Sequence, residues 1–331
     1  MATYKGIQGY SVQKLSSDPT ASEAEGQLWY NSGTGKFKIA VAGAGAWSSA
    51  AAMNTARITA GSCVMAPYTA ALVMGGNTGS PELITGATES YNGSAWTETG
   101  HTMNTPRRGC GGLGDSQTAA VVCGGYSIPA GPGVIANVES YDGSAWTEVV
   151  NVPTARTGFT AGGAGTSTAG LMYGGSPGPT AENISWDGTS WTEENALTQA
   201  RNTLAKFGTQ TAALAAGGAA PGGRTDVTET WDGTSWTEVA DLNQLRASLM
   251  GAGSTTAGIV FGGSEPAVSN KTELWDGTSW TEVADLATAR EGSGSAGAVS
   301  TAALCCGGSP YVAITESWDG APVTAKTVTV S

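Results

Sequence analysis

The chain has a single histidine, His101, and only seven lysines among 331 residues. A metal centre built on several histidines is therefore excluded, and no cysteine stands at metal-ligand spacing from His101. A serine or cysteine triad would have to run through that one imidazole. No basic block occurs and the formal net charge is −12, so nucleic acid is not an expected partner, because phosphate binding needs clustered Lys and Arg. No apolar run approaches the roughly 18 residues of a membrane helix, and the opening "MATYKGIQGY" lacks a leader's apolar centre. Neither membrane insertion nor a signal peptide is expected. Cysteine is sparse: Cys63, Cys110, Cys123, Cys305 and Cys306 make an odd number with no CxxC pair. They predict small buried strand residues in a reducing compartment, not a disulfide framework. No long stretch carries the 3.6-residue apolar period of a helix.

What the chain has is glycine, 50 residues, with 40% hydrophobic and only 13% charged residues. That is enough apolar material for a core, and no three-residue period suggests collagen. It also has a repeat. Three markers recur in fixed order at intervals of 43 to 50 residues. The first is an arginine: Arg57, Arg107, Arg156, Arg201, Arg246 and Arg290. The second is a glycine doublet, from Gly75-Gly76 to Gly307-Gly308. The third is an aromatic pair five residues apart: Tyr91/Trp96, Tyr141/Trp146, Trp186/Trp191, Trp231/Trp236 and Trp275/Trp280. Periods of roughly 40–50 residues with four strands each belong to β-propeller blades.

One period reads as four strands. After Arg246, "ASLMGAG" is a small apolar inner strand and "AGIVFGG" a buried second one. "KTELW", the Asp-Gly type hairpin turn "DGTS" and "WTEVA" then give strands three and four. Trp47, Trp96, Trp146, Trp191, Trp236 and Trp280 are expected to fill the wedges between neighbouring blades. A glycine doublet, an aromatic 11 to 17 residues later and a Trp five further on resemble the kelch repeat, here unusually rich in Ala, Gly, Ser and Thr. The resemblance implies an all-β, six-bladed kelch-like propeller over residues 45–331, preceded by a short N-terminal docking arm over residues 1–44.

The last repeat has Val323 where its tryptophan is due, whereas Trp47 stands ten residues before Arg57. Both ends thus claim the closing position. The expectation is that Trp47 inserts into the last blade and the C-terminal strand flanks it. Ahead of it, the polar start, Pro19 and an acidic run read as a linker, and "LWYNSGTGKFKI" as a hairpin. That hairpin resembles ones common in bacteriophage tail fibres and other virion proteins. The "NGSAW" and "DGTSW" repeats are similar to kelch-like proteins encoded by tailed phages of aquatic bacteria.

The turns joining strands one–two and three–four lie on one side of such a blade. The two–three loops and the blade connections lie on the other. Only the latter loops vary: residues 77–87, 126–137, 176–182 and 219–227. Function concentrates on such loops. The six arginines belong to the same side, as a candidate ring of cations for an acidic sugar or a partner's carboxylates. The competing reading is that each staples adjacent blades through carbonyls or a repeat glutamate.

Chemistry is harder to place. "SWDGTSWT" resembles the sialidase Asp-box with one residue missing, and those boxes are structural turns. The acids are mostly periodic, unlike a glycosidase pair. The doublets lack the Lys-Ser/Thr of a phosphate loop. The expectation is a non-enzymatic, cofactor-free bacteriophage virion protein. Its arm would join other virion proteins, with further copies in the particle, and its propeller on a tail or fibre would contact a host-surface glycan. The alternatives are a capsid-decorating or tail-internal structural protein, and more distantly a cellular kelch-like adaptor or a glycan-cleaving propeller enzyme.

Overall fold

A computed structural model describes residues 13–17, 28–42, 45–79, 81–128, 133–158, 162–320 and 323–327. Pro19, the acidic run and the tip of the 126–137 loop lie outside them. The chain divides into two compact units, one of residues 46–319 and one of residues 1–45 with 320–331. The described residues are all-β, save a single 3-10 turn at Tyr68–Ala70.

The smaller unit holds one four-stranded sheet. Gln13–Leu15 runs parallel to Leu28–Asn31, which pairs antiparallel with Lys36–Ala42. The expected hairpin is therefore present, but "QKL", read as linker, is a strand. The fourth strand is Val323–Thr327, which pairs with Lys36–Ala42. This corrects the expectation that the C-terminal strand flanks Trp47. Lys36–Ala42 offers a free edge of seven residues, and the C-terminal strand satisfies it.

Among its described residues the larger unit holds six four-stranded antiparallel sheets, an arrangement consistent with a β-propeller. Five are contiguous in sequence: sheet one over residues 61–102, sheet two over 111–149, sheet three over 164–194, sheet four over 205–238 and sheet five over 250–282. In sheet five, for instance, Met250–Gly253, Gly258–Phe261, Thr272–Trp275 and Trp280–Glu282 follow one another. The sixth takes Gly294–Val299, Ala302–Cys306 and Thr315–Asp319 from the end of the chain and Ala46–Ala50 from its beginning. Trp318 pairs with Trp47 in that register, where the other sheets set Tyr91 against Trp96 or Trp275 against Trp280.

The cores lie between sheets. Leu72 and Met74 of sheet one cluster with Val122 and Trp146 of sheet two. Ala296, Leu304 and Cys306 of sheet six cluster with Val73 and Trp96 of sheet one. Small inner residues let the sheets approach closely, and indoles fill the widening gap. Each fourth-strand tryptophan packs against the aromatic beside it, with ring centroids 4.9 Å apart and planes tilted 38° for Trp186 and Trp191, and 5.2 Å and 41° for Trp275 and Trp280. Its N–H then reaches the preceding sheet. Trp96 donates to Thr315, Trp146 to Thr88, Trp280 to Thr228 and Trp47 to Thr272, at 3.0–3.2 Å. Sheets two and three carry Val138 and Asn183 at that threonine position. Trp191 turns instead to the Val150 carbonyl, and the Trp236 N–H has no partner.

The three–four turns share one device. Asp142, Asp187, Asp232 and Asp276 each accept two backbone N–H bonds and one hydroxyl bond on Oδ1, as with Ser144 and Ala145 on Asp142 at 2.8 Å. Asn92 does the same in sheet one. Bonds from the Ser and Thr hydroxyls and these backbone amides favour the ionised carboxylate, holding Asp142, Asp232 and Asp276 down to about 2. A folded-state pKa below the ordinary value near 4 gives stability that is complete above that value and lost as pH falls through about 2. Unfolding by denaturant at stepped pH should therefore show a loss between about pH 4 and 2. Replacing all four aspartates by Asn, which sheet one tolerates, should flatten that step.

All five cysteines are free and buried, and burial pushes the Cys63 thiol up to about 12 and Cys110 up to about 11. A thiol kept protonated and out of solvent does not react. Ellman's reagent should find no thiol on the native protein and five after unfolding.

Candidate functional site

The six repeat arginines do not form a cationic face. Arg57, Arg107, Arg156, Arg201, Arg246 and Arg290 are at most 2% exposed. In Arg246, Nη1 donates to the carbonyls of Gly262 and Lys271 at 2.8 Å, and Nη2 to the Glu273 carboxylate at 2.7 Å. Arg107 and Glu139, Arg201 and Glu229, and Arg290 and Glu316 pair equally closely at 2.5–2.6 Å, as do Arg57 and Glu89. The other glutamate oxygen accepts backbone N–H groups from the incoming connection: Asn243 onto Glu273 at 2.8 Å, Ala287 onto Glu316 at 2.7 Å. A buried guanidinium with these partners has no charge left for a ligand.

The arginine backbone completes the clasp. The second glycine of each doublet donates its N–H to the next sheet's arginine carbonyl: Gly76 to Arg107, Gly263 to Arg290, Gly308 to Arg57, at 2.8–2.9 Å. The first glycine is left-handed throughout, as at Gly262 with φ 65°. A Cβ there would lie 2.5 Å from the Arg290 carbonyl oxygen, so no larger residue fits.

The variable loops are the part with free side chains. Each begins by pairing its first residue with the residue after its own arginine, as Asn77 with Ile58 and Ser176 with Thr157. Neighbouring loops then touch. Asn77 donates to the Tyr311 hydroxyl at 2.9 Å, Asn202 to Ser176 at 2.9 Å and Arg224 to Ser264 at 3.3 Å. Arg108 pairs with Glu82 and lies 4.7 Å over the Tyr126 ring. Leu83, Ile128, Val268, Tyr311 and Ile314 stand exposed along this rim. The non-periodic arginines of the rim are Arg224, which is exposed, and Arg108, which is half-buried and paired with Glu82; the periodic reading passed over both. Their signal was present: neither falls on the arginine period, and a charge that breaks the repeat is not needed by it.

His101 Nδ1 lies 2.8 Å from the Tyr141 hydroxyl, which itself donates to the Gly143 carbonyl, so the imidazole serves a turn. Among the described residues no group of His, Cys, Asp and Glu could hold a metal ion, and no helix is long and apolar enough to cross a membrane.

Removing one partner of a buried ion pair strands the other charge. The Glu273→Ala variant should therefore lose about 3–5 kcal/mol of unfolding free energy in urea. Glu182, which faces Arg156 with a side chain 38% exposed, should lose under about 1 kcal/mol on the same change. Among known proteins, no family model matches the chain and no curated protein matches it; the kelch-like and phage-fibre resemblances rest on the residues quoted for them.

Proposed function

We propose that the six sheets are the blades of a closed six-bladed propeller, and that this propeller is a non-enzymatic binding scaffold of a bacteriophage particle. On this reading the rim of two–three loops contacts a host-surface glycan, and the smaller sheet docks the protein to other virion components. Closure is supported by the apolar cluster joining sheet six to sheet one and by the bond from Gly308 to Arg57. The docking role is supported by the tail-fibre-like strand pair Leu28–Asn31 with Lys36–Ala42.

The observation that carries the binding role is the rim itself. Apart from Arg156, the repeat arginines and their third-strand glutamates are spent inside the sheets, while the aperiodic loops leave Leu83 and Tyr311 exposed beside the polar contacts of Asn77 and Arg108. Apolar and aromatic faces next to hydrogen-bonding groups suit a sugar surface. The periodic acids remain solvated strand residues, as Glu98, Glu148, Glu238 and Glu282 are exposed on fourth strands. Binding of the full-length protein to isolated host-surface polysaccharide tests the reading. Leu83→Ser with Tyr311→Ala should weaken binding roughly tenfold or more while leaving the unfolding midpoint unchanged. Release of reducing sugar from that polysaccharide would overturn the non-enzymatic assignment. Gold labelling confined to the capsid would overturn the tail position.

A further inference from the structure

Sheet three breaks the rule that the other five obey. Its third strand reads Asn183-Ile184-Ser185-Trp186, where sheet five reads Thr272-Glu273-Leu274-Trp275. Ile184 pairs with Met172 and Glu193, as Glu273 pairs with Val260 and Glu282. An isoleucine therefore holds the register position of the repeat glutamate. It is buried against Val138, Val152 and Trp186. The backbone donor of that carboxylate is gone as well. Three residues before the arginine, where Asn243 and Ala287 offer N–H groups, sheet three has Pro153.

The arginine was kept. Arg156 is 1% exposed. Its Nη1 reaches the carbonyls of Gly174 and Glu182 only at 3.4 Å each. Its Nη2 makes no hydrogen bond, and neither does its Nε. A bare Nε is common to four of the other five arginines; a bare Nη2 is not. The Glu182 carboxylate stands 3.0 Å from Nη2 without hydrogen-bond alignment, from a half-exposed side chain. In front of the guanidinium lies a cavity of about 120 Å³, lined by Thr154, Arg156, Ser176, Pro177, Thr180 and Glu182. Arg156 is the buried cation of its lining, which also carries three hydroxyls and reaches the surface at Thr154 and Pro177.

We infer that this cavity is a carboxylate-binding site, in which a ligand's carboxylate displaces Glu182 and bonds Arg156 through Nη2 and Nε. The ligand supplies from outside what a buried glutamate supplies in the other five sheets. Side-on guanidinium recognition offers two parallel charge-assisted bonds. Glu182, half exposed and poorly aligned, is a weak competitor. The cavity admits a carboxylate and a few further atoms. That suits a free small acid or the uronate carboxylate of an acidic saccharide, whose hydroxyls Ser176 and Thr180 would meet. The site stands on sheet three alone and needs neither the particle nor the glycan role of the rim.

Titration of the full chain with sodium acetate, sodium glucuronate and glucose tests it, followed by NMR of the arginine side-chain 15N resonances and by calorimetry. The expected result is a saturable shift of one arginine with acetate or glucuronate and none with glucose. Glu182→Gln should tighten acetate binding roughly tenfold. Pro153→Asn with Ile184→Glu, which writes the repeat pattern back, should abolish it while keeping the protein folded. Acetate binding alone assigns the site to free small acids, and glucuronate binding extends it to acidic sugars. If Glu182→Gln shows no saturable arginine shift with either acid, or if the double variant binds as well as the native chain, the site holds water and the inference falls.

Discussion

A guanidinium is costly to bury without partners for its charge, and this chain buries six of them. Five of the arginines are held by two carbonyls and a glutamate of their own sheet, Arg156 being the exception, and all six offer the backbone carbonyl to the doublet before them. The linkage runs from sheet to sheet and returns through Gly308 to Arg57. A second circuit lies two residues further along the chain. Thr59, Gly109, Gly158, Thr203, Ser248 and Gly292 are all left-handed, and their amides and carbonyls pass bonds such as Thr59 to Gly292 and Gly292 to Ser248 at 2.7 and 3.0 Å. Three of the six are not glycine, and for them the conformation is strained. A network that holds three strained residues and six buried cations in register leaves little freedom to the parts it joins.

That constraint decides where function can live. The repeat residues are consumed: five arginines and their glutamates by each other, the tryptophans by the aromatic beside them and in four sheets by a neighbouring threonine, the turn aspartates by their own amides and hydroxyls. What remains are loops with no shared task, and they are the repeated segments that differ most in length. Their contacts are with one another, Tyr311 to Asn77 and Arg224 to Ser264. The rim can change composition without touching the clasp.

Much of this was legible in the sequence. Glycine doublets, aromatic pairs and Asp-Gly turns located the strands, because each answers to local geometry: a left-handed φ, a flat surface for stacking, a two-residue reversal. Trp47 was legible as the missing fourth strand because its spacing to Arg57 matched the other repeats. The fate of the C-terminal strand was not, since "VTAKT" suits any free edge and the edge that took it belongs to a different sheet. The arginines were ambiguous for a related reason. Sequence gave their period but not their direction, and a cation pointing inward reads the same as one pointing outward until its carboxylate is located in space. The partner's period was visible in Glu89, Glu139, Glu229, Glu273 and Glu316, and so was its lapse at Ile184.

The lapse itself follows physical logic. Deleting only the carboxylate would leave the incoming amide and the guanidinium both unsatisfied. Pro153 removes the first of these, since a proline has no N–H to strand. Ile184 converts the vacated volume into apolar contact with Val138 and Val152. The inner circuit changes at the same place, where the Thr157 hydroxyl, at 3.1 Å from the Gly109 carbonyl, takes the part played elsewhere by a backbone amide. Three adjustments thus accommodate the loss, and none of them answers Arg156. A sheet with a purely structural task would carry an apolar residue in place of the arginine, because an uncompensated buried charge is the costlier arrangement. Its retention in the lining of an open cavity, after everything around it has been rewritten, is what separates sheet three from a merely degenerate repeat.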